Sequence, residues 1–424
     1  MMRPHSHLPL SLLIGLAWRN IWRHRRRTAI TLSSIGIGFA LAVLSIGLGD
    51  GSHNSLVRNA IKLGEGHLTV QPRGYFEAPA NHKFIANGKA LVANLEHLEI
   101  TDSIESRVAL QVLASTASNS IGAALEGLNP QHDQRVTMLK PQLLKGEWLK
   151  PGDERGIIIG DGMAGKLKAR IGSKVVLMAG KQGGDSQAQL GRVRGIFDSH
   201  VENLDDYLIL ADIKFTQLFL QGEGAEMNLS PVTRVALFVA DPDDLTSLKS
   251  RIESEITGDR LVVLDWQEMM PQLVQFIIVD DAGNYIFLLL ILIMVVFGIL
   301  NTVLMSVLER TREFGLLRAL GLSRLQLLML VFCESVLLSL LAVTIGWLLG
   351  GTTHLWFATY GINTESIGGG ASLAGSFMDP VNFTELSWDR VIQLTVIIFV
   401  ATLGSGVYPA IKAARVTPVE ALRT

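Results

Sequence analysis

Three stretches of the chain place chemically capable residues at telling intervals. The first, Gly160-Asp-Gly-Met-Ala-Gly165-Lys166, fits the glycine–lysine spacing that cradles a nucleotide phosphate; it follows a strand-like run (Gly156–Ile159) and opens a helical one. Position 167 is Leu, so the hydroxyl that would hold Mg²⁺ is missing, and a strand–turn–helix using glycines for its turn accounts for the same residues. The second is Glu334, an acid inside an apolar stretch. An ionised carboxylate in lipid costs about 2.5–3.5 kcal/mol, so such a group is paired, inward-facing or functional. A carboxyl kept protonated, or bonded to a neighbouring span, meets that demand, and Cys333 beside it reads as a small packing residue. The third stretch is 309–324. Here Phe314, Leu317 and Leu320 share one helical face, ringed by Arg310, Arg312, Glu313 and Arg318. Such a helix either rests on lipid with its arginines on headgroups or presses into a groove of a cytosolic partner. No nucleophile–base pair or metal-ligand cluster stands out, and a single cysteine excludes an intrachain disulfide.

The elements that must position these residues are membrane helices. Of 424 residues, 48% are hydrophobic and 18% charged, richer in apolar residues than a soluble average. Four windows are long enough to cross a hydrocarbon core of roughly 30 Å: 28–49, 282–308, 325–351 and 391–411. The first runs on into Gly49-Asp50-Gly51 without a small-residue cleavage site, as an uncleaved anchor would. Segments 1–27, 309–324 and 412–424 together hold 13 basic and 3 acidic residues, whereas the remainder holds 24 and 36. Positive loops stay in the cytoplasm, which puts both termini and 309–324 inside, with 50–281 and the loop 352–390 outside. The Gly160–Lys166 pattern then lies where nucleotide is scarce. Trp18, Trp22, Trp347, Trp356, Trp388, Tyr285 and Tyr408 fall at expected span ends, as interfacial rings do. Ser34, Gly38 and Ala42 form a small-residue face on the first span that permits close helix approach.

Residues 50–281 alternate strand-like runs (His67–Gln71, Arg107–Leu113, Gly156–Ile159, Lys174–Met178, Arg192–Phe197, Tyr207–Leu210, Thr233–Val239, Leu261–Leu264) with helical ones (Leu91–His97, Gly162–Ala169, Ile213–Leu220, Pro242–Glu255). This is an α+β domain large enough for its own core. Lys181–Gln189, glycine-rich and polar, reads as a mobile loop.

Three segments carry a family likeness. The run Asn301-Thr-Val-Leu-Met-Ser-Val-Leu-Glu-Arg-Thr-Arg-Glu-Phe-Gly-Leu-Leu-Arg-Ala-Leu-Gly321, the end Tyr408-Pro-Ala-Ile-Lys-Ala-Ala-Arg-Val-Thr-Pro-Val-Glu-Ala-Leu-Arg423 and the opening Leu16-Ala-Trp-Arg-Asn-Ile-Trp-Arg-His-Arg-Arg-Arg27 resemble the MacB/FtsX-like ABC transporter permeases. With no fused ATPase, the layout is similar to that of the lipoprotein-releasing permeases LolC and LolE. The resemblance implies an integral membrane α-helical fold with four transmembrane helices and a large extracytoplasmic α+β domain, a porter-like lobe with an inserted β-rich lobe. It implies a non-catalytic subunit without a cofactor of its own, ATP and Mg²⁺ being bound by a separate cytosolic ATPase. Partners would be that ATPase, a second permease copy or paralogue, membrane lipid, and a periplasmic carrier or adaptor; nucleic acid is not among them. By motif match, Arg310, Arg312, Glu313, Phe314, Gly315, Leu317 and Arg318 lie in a coupling helix through which ATP-driven closure moves the outer domain. The implied task, in a bacterial inner membrane, is extraction or export of a lipoprotein or other lipid-like substrate. Export of peptides or small amphiphiles, and an FtsX-like mechanical relay to a periplasmic enzyme, are the alternatives.

Overall fold

The computed structural model describes residues 10–23, 25–98, 101–180, 186–199, 202–220, 230–239, 244–256, 260–363 and 381–415. The chain forms two units: the described residues of Met1–Asn54, Ile277–Gly369 and Pro380–Thr424, and those of Ser55–Phe276.

Among the described residues, four helices are long and apolar enough to cross a membrane, Arg25–Leu63, Pro271–Glu309, Arg324–Tyr360 and Trp388–Ala414. They are called here the first to fourth spans. A basic helix, Leu10–Arg23, precedes them, and a loop helix, Thr311–Ala319, joins the second to the third. Every span overruns its apolar window, because a helix stops where its capping residues stop it. Gly321, at φ +103°, closes the turn after the loop helix. Ser323 then opens the third span with a capping box: its Oγ accepts from Gln326 N (3.2 Å), and the Gln326 side chain accepts from Ser323 N (2.8 Å).

The bundle core repeats at helical spacing. Leu32, Ile35, Phe39 and Val43 of the first span meet Ile291, Val295, Ile299 and Val303 of the second, with Leu327 and Val331, then Leu394 and Ile398, from the others. Close approach needs glycine: a Cβ on Gly38 would stand 3.2 Å from Val295 Cγ2, and one on Gly36 2.8 Å from Ile345 Cγ2. Gly38 and Ala42 of the expected small-residue face are buried, but Ser34 is exposed, so Gly36 replaces it as the contact point. Trp347 also departs from expectation. Its ring packs edge-to-face on Phe39 (5.2 Å between centroids) and its Nε1 donates to Thr395 Oγ1 at 2.9 Å, so it is a bundle residue rather than an interfacial one. Trp18, Trp22, Trp356 and Trp388 are exposed.

The other unit contains ten strands: β1 Leu68–Pro72, β2 Ser103–Ser115, β3 Ser120–Leu128, β4 Leu143–Gly146, β5 Gly156–Gly160, β6 Lys174–Gly180, β7 Ser186–Phe197, β8 Leu208–Asp212, β9 Arg234–Phe238 and β10 Leu261–Asp265. Strand β2 serves two sheets. Ser103–Arg107 pair with β9, which continues through β1 to β10, all antiparallel. Val108–Ser115 pair with β3, and the pairings β3–β8, β8–β5, β5–β7, β7–β6 and β6–β2 close a six-stranded ring; β3–β8 and β5–β7 are parallel. Strict alternation marks β6, where Val175, Leu177 and Ala179 are buried and Val176 and Met178 exposed. All eight expected strands are present. Two were not expected, β3 and β4. The glycine-rich expectation is corrected in part: Ser186–Gln189 belong to β7, while 181–185 lie outside the described residues, as do 242–243 at the start of the expected Pro242–Glu255 helix.

A buried ionic cluster joins the lobes of this unit to the end of helix Arg25–Leu63. Arg135 Nε donates to Leu63 O at 2.7 Å, and Arg107 donates to Gly64 O. These arginines meet Glu105, Asp133, Glu65 and Glu126, and Arg234 Nε lies 2.6 Å from Glu65. Cations at a helix C-terminus complement its dipole.

Candidate functional site

The intramembrane acid and the expected coupling segment form a single site. Arg310 stands between the second span and the loop helix, at φ −104° and ψ 14°, so its side chain turns back into the bundle. Its NH1 lies 2.9 Å from Glu334 Oε1 and its Nε 3.1 Å from Glu313 Oε2, while the guanidinium covers the Phe314 ring at 5.1 Å. Glu334 Oε1 also accepts from Asn20 Nδ2 at 2.6 Å, and Glu313 Oε1 from Arg23 NH1 at 2.6 Å. Arg27 pairs with Glu309 at 2.7 Å alongside. The Arg310 and Glu334 side chains are only 8% and 9% exposed. Burial pushes the Glu313 carboxyl up, but the hydrogen bonds and charges of Arg310 and Arg23 hold it below the usual carboxylate range. Glu334 is therefore a bonded intramembrane acid whose partners come from the basic helix and the loop segment.

The arrangement holds three elements together through paired charges. One arginine locks the loop helix to the third span, and Glu334 and Glu313 lock both to the basic helix. That helix packs Leu13 and Ala17 against Leu330, with Cys333 beside them in the packing role expected of it.

The expected docking face needs correction. Phe314 is 0% exposed and packs in the bundle core with Leu317 beside it; Gly315 is buried too. Arg318 is half-buried. The outward surface of the loop helix is Arg312, Leu316, Ala319 and Leu320, the last 78% exposed. Helical spacing shows that a face exists; it does not show which of two apolar faces the bundle covers. Asn20 and Arg23 were missed as site members. Asn20 sits among the apolar residues of the basic helix, a position where a polar side chain needs a partner.

At the opposite end of the spans a second polar set was also missed. Arg390 Nε lies 3.4 Å from Asp50 Oδ2, and its NH1 donates to Tyr285 Oη at 2.6 Å. His53 Nε2 is 2.8 Å from Asp280 Oδ2, and Asn54 Nδ2 donates to Glu385 at 2.6 Å. These contacts tie the first span to the second and to the entry of the fourth.

The Gly160–Lys166 turn is filled from within. Lys166 Nζ pairs with Asp206 Oδ2 at 2.7 Å, and Gly160 and Gly162 abut Asp205 and Asp206. The Asp206 carboxylate that faces the turn is the wrong sign for a phosphate, and the Asp205 backbone fills the space beside Gly160. Among the described residues, no group of three or more His, Cys, Asp or Glu could hold a metal ion.

Four helices of membrane length, a loop helix clamped to them and a mixed α+β domain define, among the described residues, an integral membrane protein with a large domain outside the bilayer. The MacB-like periplasmic core domain matches residues 28–255, and the FtsX-like permease C-terminal matches residues 285–418. The chain belongs to the family of ABC transporter permeases that join these two parts. It is 23% identical over 417 residues to the lipoprotein-releasing system transmembrane protein LolE of Haemophilus influenzae, covering 96% of this chain and 98% of that one. It is 24% identical over 440 residues to LolC of Xylella fastidiosa, covering 98% and 99%. An uncharacterized ABC transporter permease of Methanocaldococcus jannaschii is 24% identical over 423 residues, covering 97% of each. Among solved structures, the periplasmic region of MacB from Actinobacillus actinomycetemcomitans aligns with 52% of this chain and 97% of its own, at TM-score 0.35 and 13% identity.

Proposed function

We propose that this permease is the membrane subunit of a lipoprotein-handling ABC transporter in a bacterial inner membrane. It works as a dimer, with a second copy or a paralogue, and is driven by ATPase subunits that bind ATP and Mg²⁺ on separate chains. Both termini and the loop helix face the cytoplasm. The observation that carries the cargo reading is the end-to-end similarity to LolE and LolC, at 96–98% coverage of this chain. Closure of the ATPase bears on the exposed face around Arg312, Leu316 and Leu320. The Arg310 fork then passes the displacement into the third span and the basic helix instead of letting the loop helix swing alone.

The test is release of a radiolabelled lipoprotein from spheroplasts carrying the permease with its ATPase. ATP-dependent release that Leu316→Ala/Leu320→Ala abolishes, with ATPase co-purification lost and membrane insertion intact, supports the reading. Turnover that exports amphiphile and leaves lipoprotein in place overturns the cargo. Orientation is checked separately in a Cys333→Ser background: a cysteine at 185 labels from outside and one at 312 does not.

A further inference from the structure

The basic end of the bundle holds a groove that the clamp around Arg310 does not use. It lies between the first and second spans, has a volume of about 600 Å³, and is rimmed by the consecutive arginines Arg25, Arg26 and Arg27. Its floor is polar: Thr31, Thr302 and Asn301 line it, and the two threonine hydroxyls hydrogen-bond at 2.9 Å. Ile30 and Met305, both exposed, complete the lining. Glu309 neutralises one of the three arginines, Arg27, through NH1. The other terminal nitrogen of Arg27 is buried without a hydrogen-bond partner, a state that is unfavourable for a donor.

We propose that this groove binds the headgroup of an anionic phospholipid such as phosphatidylglycerol. Thr31 lies four residues beyond Arg27, so the polar floor sits ~6 Å along the helix from the nearest rim arginine. A phospholipid's ester oxygens lie about that far from its phosphate. Arginine forks match phosphate oxygens bidentately; the exposed Asn301 amide can donate to ester oxygens, while the two threonine hydroxyls, which already donate to Arg27 O and Gly298 O, can accept from a glycerol hydroxyl; Ile30 and Met305 suit the first methylenes of a chain. The groove volume falls within the range of small-ligand sites. Basic pockets between membrane helices bind anionic headgroups by this chemistry, at about 1 kcal/mol per cation near the surface. A free phosphate would use the rim and leave the floor and apolar flank without purpose. The assignment is independent of the cargo proposed above, so either can fail alone.

The experiment is native mass spectrometry of the purified full-length permease with equimolar phosphatidylglycerol and phosphatidylcholine of identical acyl chains. The wild-type chain should retain phosphatidylglycerol selectively, and Arg25→Gln/Arg26→Gln should lower that preference roughly thirty-fold. Arg25→Lys/Arg26→Lys should keep most of it, and Arg415→Gln, which removes a charge elsewhere on the basic side, should leave it unchanged. If the double Gln variant fails to insert, Ile30→Trp, which crowds the apolar flank without altering charge, serves instead and should also lose the preference. Equal loss in Arg415→Gln would mean diffuse attraction and overturn the site. Displacement of the lipid by millimolar inorganic phosphate would make it a soluble-anion site. A preference that survives both groove variants, or a groove covered by a second copy in cross-linked dimers, would likewise overturn the assignment.

Discussion

Removing the Glu334 carboxylate tests the clamp most directly. At 2.9 Å from Arg310, and with both side chains under 10% exposed, the gross attraction is about 6 kcal/mol at an effective dielectric near 20. Desolvation offsets much of this, and removing one partner of a buried pair costs about 3–5 kcal/mol because the other charge is stranded. Glu334→Leu leaves Arg310 one acid, Glu313, which is 37% exposed. The lower end, about 3 kcal/mol, is therefore expected. For a bundle of this size it should lower the thermal midpoint by roughly 6–12 °C. Arg310→Met combined with Glu334→Leu strands no charge and should recover most of the loss. The assay is thermal unfolding of the detergent-solubilised permease, followed by tryptophan fluorescence. A Glu334→Leu midpoint indistinguishable from wild type, or a double variant as unstable as the two single losses added, would refute the reasoning.

Four further outcomes are expected. Burial, with the neighbouring Asp133 charge, raises the Glu105 carboxyl to about 7 against the opposing Arg107. The folded state thus holds a proton that the unfolded state has lost between about pH 4.5 and 7, and stability falls as pH rises through that window; Glu105→Gln should flatten the pH dependence of outer-domain unfolding, an effect of roughly 3 kcal/mol. Phe314→Ala should destabilise the bundle by about 3–5 kcal/mol, whereas Leu320→Ala should change thermal stability by less than about 0.5 kcal/mol. A Cβ on Gly127 would collide with Thr216, so Gly127→Val should cost about 1–3 kcal/mol in chemical denaturation and Thr216→Gly should relieve part of it. Lys166→Ala should leave ATPase activity of the assembled transporter unchanged, and a fall in nucleotide binding would count against the filled turn.

Spans, charge asymmetry and eight of the ten strands were legible because each is written in local pattern. Strand β3 was not: Ser-Ile-Gly-Ala-Ala-Leu-Glu-Gly-Leu has little β-branched character, and Gly127 is there to admit Thr216 from helix Ile213–Leu220. Helix ends were misjudged where Asp50–Leu63 continue a helix past the apolar stretch. At the site, the importance of Glu334 and the arginine-rich loop was readable from the cost of a charge in lipid. Their pairing was not, since Asn20, Arg310 and Glu334 are far apart in the chain and only bundle packing brings them together. The same holds for Trp347, whose position in sequence suits an interface and whose neighbours Phe39 and Thr395 do not.

The double use of strand β2 bears on how the domain assembles as the chain emerges. The six strands of the ring lie between Ser103 and Asp212. The other sheet pairs β1, at Leu68–Pro72, with β10, at Leu261–Asp265, and stays open until the chain has been made almost to the second span. Ring closure therefore precedes closure of the sheet that encloses it in sequence, and the second half of β2 acquires partners before the first. Until β9 and β10 arrive, β1 and Ser103–Arg107 present bare edges, the stage at which a nascent chain is most open to wrong pairing. Pulsed amide exchange on nascent chains stalled after Asp212 would show the ring amides protected while those of β1 still exchange.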